Sequence, residues 1–308
     1  MERGGGMKKL YHYPSMFILS VVSALVLILF EATLFVSQVL FKENIYSEAL
    51  GKFDIAGTIY DELDTYFEQL YAPTGIPKEV YMDSIEKSAL SQASYTLLTD
   101  SLEYLTNPKA DKPEIQYDFT QLESDITEYI ENYADENGDE KDDDYYSLID
   151  NTISVAESQI QSRLDVMMLY TVSQTGFAEK IHNASGYVNY AMVGVGAVLL
   201  ILLAVMFAIN RHHLRDMTYW IGGIMLSASA VIIAPALYLE KTGYFNKFFM
   251  RSNHIYQTVT GFFSVALDKI ITAQVALLII AVVLIVATLG IHSLYVFYLK
   301  KKDERHRD

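Results

Sequence analysis
Few residues in this chain have the type and spacing that chemistry demands. Ser84-Ile85-Glu86-Lys87 has the S-x-x-K form of serine acyl-enzymes, and Lys241-Thr242-Gly243 has their K-T-G form. That chemistry needs the K-T-G segment on a strand beside the nucleophile. Lys241 instead closes a long apolar run, no S-x-N lies between, and Ser84 falls in a stretch with helical patterning. Catalysis by this pair is not expected. Histidine offers no better: His212 and His213 are adjacent between Arg211 and Arg215, and no H-E-x-x-H places two ligands on one helix face. They read as part of a basic loop that sets membrane orientation.

The densest anionic stretch, 135–144, holds Asp135, Glu136, Asp139, Glu140, Asp142, Asp143 and Asp144. Calcium takes about six to eight oxygens, and an EF-hand loop arranges them around a glycine at its sixth position. Setting Gly138 there puts Tyr133 at the first position, where a carboxylate is required. The motif fails. A solvated connection is expected, with weak cation binding by Asp139, Asp142, Asp143 and Asp144 as its only chemistry. No metal centre and no cofactor are expected.

Glu31 carries more weight, because it sits inside an apolar run between Phe30 and Ala32. A charged group there costs several kcal/mol unless it is protonated or paired, and such residues often mark function. The candidate partners are His292, Ser227 and Ser229. Glu31 and His292 are the intramembrane polar positions, although the topology below puts them in opposite halves of the membrane and argues against a direct pair.

The elements that must position these residues are set by four apolar runs, at 16–41, 189–209, 219–239 and 272–299. Each approaches or exceeds the roughly 20 residues that a helix needs to cross about 30 Å of hydrocarbon. The first run follows Lys8 and Lys9 but is far longer than the h-region of a cleaved signal peptide, so a signal anchor is expected. Basic residues precede the first span (1–15), lie between the second and third (210–218) and follow the fourth (300–308). By the positive-inside rule those segments are cytoplasmic and both termini lie inside. The loop at 240–271 has Lys241, Lys247, Arg251 and Lys269 and weakens the rule locally. It reads as an interfacial amphipathic helix or as a basic saddle for the acidic block, and Pro235 is expected to kink the third span.

The block 42–188 is then extracytoplasmic. It holds 30 acidic and 9 basic residues, a formal charge of −21, against +6 for the rest of the chain. Such a surface disfavours nucleic acid and anionic headgroups and favours cations or a basic partner. The absence of cysteine leans towards a bacterial cell envelope with little exported disulfide chemistry. The sequon Asn183-Ala184-Ser185 carries no argument.

Within the block, apolar residues recur at helical spacing over 45–70, 80–105, 119–130 and 145–168, separated by Pro73 to Pro77, by Asn107 to Pro113 and by the acidic run. The last stretch has no proline before the second span and predicts one rod of some 40 residues, roughly 60 Å long. The fold class is therefore an all-α membrane protein: four transmembrane helices, with an extracytoplasmic antiparallel four-helix bundle inserted between the first and second. In topology alone this resembles the periplasmic sensing bundles of bacterial chemoreceptors. The expected function is a non-enzymatic one: the bundle senses a ligand or binds a partner, and a protein partner or a second copy carries the signal, since the cytoplasmic segments are too short for an effector. The alternative is a small transporter or channel component that uses Glu31.

Overall fold
The structure is a computed structural model that describes residues 5–138, 140–211 and 214–305. Among the described residues every regular element is helical: α1 (Gly5–Phe35), α2 (Glu43–Leu50), α3 (Ile55–Thr74), α4 (Lys78–Met82), α5 (Lys87–Thr106), α6 (Thr120–Asn137), α7 (Asp143–Leu164), α8 (Leu169–Ser173), α9 (Gly176–Ile209), α10 (Leu214–Lys241) and α11 (Asn253–Arg305). A π-helical turn, Val36–Leu40, closes α1, and a 3₁₀ turn, Tyr244–Lys247, precedes α11.

Four of these helices are long and apolar enough to cross a membrane, over Pro14–Leu40, Gly176–Ile209, Asp216–Lys241 and Asn253–Ile291. The chain is thus a helical, multi-pass membrane protein whose spans have the character needed to meet lipid. It divides into two compact units. One takes the chain up to Lys42, then Tyr187–Asn246, and everything from Ser264; the other takes Glu43–Gly186 and Lys247–Phe263. We call them the apolar and the acidic unit.

The acidic unit has its own core. Ile59, Leu63 and Phe67 recur every fourth residue on α3 and are fully buried, so one stripe faces inward. Against it pack Leu90 and Leu97 of α5, Ile126 and Ile130 of α6, and Ala156, Ile160 and Leu164 of α7. Tyr81 of α4 stacks on Phe67 with ring centroids 4.4 Å apart, and burial pushes its hydroxyl up to about 12. Each of the four stretches expected from spacing contributes to this core, while Phe53, Leu148 and Met168 of those stretches are exposed.

The helices carrying them are shorter than expected. The 45–70 stretch breaks at Gly51 to Asp54, where the Asp54 carboxylate caps α3 by accepting the Gly57 N–H at 2.9 Å. A Cβ at residue 57 would overlap that carboxylate, so glycine suits the cap. The 80–105 stretch divides into α4 and α5 at Asp83 to Glu86, where the Ser84 hydroxyl donates to the Tyr81 carbonyl at 3.1 Å.

The long rod also breaks. Asp165 accepts the backbone N–H groups of Tyr170 and Thr171 at 3.0 and 2.8 Å, and Met168 takes a left-handed φ of 58°. A second interruption follows, where Thr175 accepts the Ala178 N–H at 3.2 Å and so caps α9. The acidic run is shorter than expected as well: α6 continues to Asn137, with Ala134 buried, and stops at Gly138 in the left-handed region that favours glycine (φ 70°).

In the apolar unit, α1 packs on α10 through Met16, Ala24, Met217 and Ile224, joined by Met206 of α9. Small residues permit close approach, as in other membrane helices. A Cβ on Gly222 of α10 would lie 3.1 Å from the Ala281 carbonyl oxygen of α11. Thr218 and Thr288 share a hydrogen bond of 2.6 Å between the same two helices. Helix α10 runs through Pro235 without ending.

Candidate functional site
The loop expected at 240–271 supplies the first polar centre. Most of it is the start of α11, and Lys247–Phe263 belongs to the acidic unit. A helix begins with backbone N–H groups that have no partner inside it. At α11 the partner is remote in sequence: Glu62 of α3 accepts the N–H of Asn253 at 2.8 Å and of His254 at 3.1 Å through one oxygen. Its other oxygen meets the His254 Nδ1 at 2.8 Å. Arg163 of α7 brings its guanidinium Nε to 3.8 Å from that same oxygen.

His254 is buried, and its Nε2 has no partner. Arg163 spans this centre and its own helix, donating to the carbonyl and side-chain oxygens of Gln159 at 2.8 and 2.9 Å, with its charge 5.2 Å from the centre of the Tyr66 ring. Burial pulls the guanidinium down from its ordinary value, and Glu62 opposes that shift. Beside the centre lies an open groove of about 520 Å³, bordered by Tyr66, Gln69, Arg163 and Arg251.

The rest of the α11 start is equally well held. The Thr258 hydroxyl donates to the Val166 carbonyl, and the Thr58 hydroxyl donates to the Gln257 side-chain oxygen at 3.0 Å. Tyr46 stacks on Phe262 at 5.1 Å, and burial pushes its hydroxyl up to about 12. A Cβ on Gly261 would lie 3.0 Å from the Phe53 ring and 3.2 Å from the Ala49 carbonyl oxygen. The contact therefore runs through buried polar and aromatic groups.

The second polar centre lies among the spans. Glu31 of α1 accepts a hydrogen bond from the Gln274 amide of α11 at 2.8 Å. Gln274 was not among the partners expected from sequence, and the remaining oxygens, Glu31 Oε1 and Gln274 Oε1, are buried without a partner. Ser229 is fully buried with an unpartnered hydroxyl, and the side chain of His292 lies outside the described residues. Near the end of α1, the Ser37 hydroxyl donates to the Asn189 side-chain oxygen at 2.7 Å, and the Gln38 amide donates to Ser37 at 3.0 Å. This network coincides with the π-helical turn, in which the Phe41 N–H reaches the Val36 carbonyl at 2.9 Å.

The other candidates have structural roles. Ser84 ends a turn, and Lys87 lies 4.8 Å from the centre of the Tyr60 ring. The Thr242 hydroxyl donates back to the Tyr238 carbonyl at 2.8 Å. Asp142 caps α7 by accepting the Tyr145 N–H at 3.0 Å, Asp143 and Asp144 lie in that helix's first turn, and Lys141 pairs with Asp135 at 2.7 Å. Asp139, His212 and His213 lie outside the described residues. Among the described residues, no group of three or more histidines or carboxylates is arranged to hold a metal ion.

No known family model matches this chain, and neither a curated protein nor a solved structure matches it.

Proposed function
We propose that this multi-pass membrane protein displays its acidic helical unit outside the cytoplasm, as a receiver for a ligand or a partner. In this reading both termini are cytoplasmic, the chain is not an enzyme, and it acts as an accessory or signalling subunit of a cell envelope through a protein partner or a second copy. The observation that carries the reading is the Glu62–His254 junction. It ties α3, in the core of the acidic unit, to the first turn of a helix that continues unbroken to Arg305. An event that moves α3 therefore bears on the start of a membrane-crossing helix. The formal charge of −21 over 42–188 supports a cationic or basic counterpart.

The test uses the absence of native cysteine. Single cysteines at Asp111 and Arg211, both exposed, are challenged on intact cells with a membrane-impermeant maleimide. Labelling at 111 and protection at 211 is expected; the reverse pattern overturns the orientation. Solute flux in liposomes that disappears with Glu31→Gln would replace this reading with transport.

A further inference from the structure
We propose that the cavity at the α2–α3 break binds a small organic cation, an ammonium group on an apolar or aromatic body; this rests on the reading above that the acidic unit receives a ligand. The cavity measures about 660 Å³, the size of a small-molecule pocket. One wall is α5, from which Ser88, Ser91, Gln92 and Tyr95 line it at i, i+3, i+4 and i+7, the spacing of a single helix face. The facing wall, around the break, holds Leu50, Phe53 and Ala56 with Asp54 among them. An amphiphile is the class of molecule that meets both walls.

Ser94 supplies an independent sign of a ligand. It also lines the cavity, is only 4% exposed, and its hydroxyl has no hydrogen-bond partner. A buried hydroxyl left unpaired destabilises the fold, and a polar group on an occupant would satisfy it. Charge then selects the occupant. The lining holds the Asp54 carboxylate and no lysine, arginine or histidine, and the Tyr95 hydroxyl donates to Glu43. The lining thus offers an ammonium group a carboxylate and offers an anion no basic side chain. The apolar side chains in turn give a bare metal ion nothing to coordinate. Occupancy also has a route outward: Phe53 lies against Gly261, so an occupant that displaces its ring presses on the α11 start.

The full chain, purified in nanodiscs, is titrated calorimetrically with phenethylamine and with phenylacetate, which has a similar aromatic body and the opposite charge. Saturable binding of the amine is expected, with phenylacetate at least about tenfold weaker. Ala56→Phe fills the cavity and abolishes binding; Ser91→Phe, at an exposed helix position, does the same should the first variant fail to fold. Ser94→Ala has two effects of opposite sign. It raises the unfolding temperature of the ligand-free protein by removing an unpaired hydroxyl, and it weakens amine binding by roughly two- to tenfold. Ser101 is the control, because its hydroxyl is equally buried and unpartnered but lies outside this cavity. Ser101→Ala gains the same stability and leaves binding unchanged. Absence of amine binding at millimolar concentration, equal binding of phenylacetate, binding that survives both phenylalanine variants, or identical behaviour of the two serine variants overturns the proposal. The maleimide result is independent of all four, so failure here and failure of the orientation are told apart.

Discussion

The two units bury carboxylates by different means. In the acidic unit, Glu62 receives two backbone N–H groups and meets a histidine ring nitrogen, with a guanidinium 3.8 Å away, and Asp165 receives two backbone N–H groups. In the apolar unit, Glu31 receives one side-chain amide, and two oxygens of the pair remain without partners. Helix breaks explain the contrast. Each break frees backbone donors that a carboxylate can satisfy. An uninterrupted span uses its own N–H groups internally, so a polar residue midway along it has only other side chains to turn to.

The largest expected effect tests the richer of these arrangements. Glu62→Ala leaves the first N–H groups of α11 and the His254 ring without their acceptor and removes the carboxylate 3.8 Å from the Arg163 Nε. Removing one partner of a largely buried ionic cluster costs on the order of 3–5 kcal/mol. Chemical denaturation of the full chain should show that loss, with Glu62→Gln retaining part of the stability because its amide oxygen still accepts. A loss no greater than that of an ordinary exposed substitution would mean that α11 starts without help from α3.

Both units also bring helices together at glycine. In Gly261→Ala the added methyl meets the Phe53 ring and the Ala49 carbonyl oxygen; in Gly222→Ala it meets Ile285 and the Ala281 carbonyl oxygen. Neither backbone oxygen can rotate away, so each substitution should cost about 1–3 kcal/mol by overpacking. Unfolding in mixed micelles measures both. Equal losses would place the two units on the same footing in helix packing even though their polar groups differ.

A double-mutant cycle on Glu31→Ala and Gln274→Ala reads the poorer arrangement. Hydrogen bonds between membrane helices couple by about 0.6 kcal/mol on average, reaching about 1.7. A coupling in that range is expected, well below the cost at Glu62. A larger value would mean that the unpartnered oxygens have donors of their own.

How far the sequence reveals this architecture follows from the same contrast between local and remote signals. Four apolar runs and four amphipathic stripes are local periodic patterns, and the corresponding spans and core helices are present. The break between α2 and α3 does not disturb the stripe. Phe53 keeps the helical spacing from Ala49 and Ala56, yet it lies outside the helices and is 39% exposed, because the decisive event is the capping of Gly57 by Asp54. The start of α11 is harder still to foresee. Its acceptor, Glu62, is 191 residues away from Asn253, so no window around His254 contains the reason for the helix to begin there. Gln274 lies near the start of an apolar run, and a search for ionisable or hydroxyl partners of Glu31 passes over an amide.

Glu157 gives the smallest effect and the one whose sign depends on pH. It lies on α7 beside Glu123 of α6, where burial raises its pKa above the ordinary glutamate value and Glu123 adds to the rise. A carboxyl whose folded pKa is raised favours the fold in its protonated form. Its contribution is fully present below the unfolded value of about 4.3 and is lost as pH rises through the folded value. At neutral pH the pair is therefore a small liability, reduced by screening because both groups reach solvent. Glu157→Gln should raise Tm at pH 7, and the gain should fade as pH drops well below the unfolded value of about 4.3, where the wild-type carboxyl is protonated as well. Glu62→Gln should lower Tm at pH 7, because the carboxylate there meets donors instead of a second carboxylate. Should both variants shift Tm in the same direction at pH 7, the supply of donors would not be what separates one acid from another in this chain.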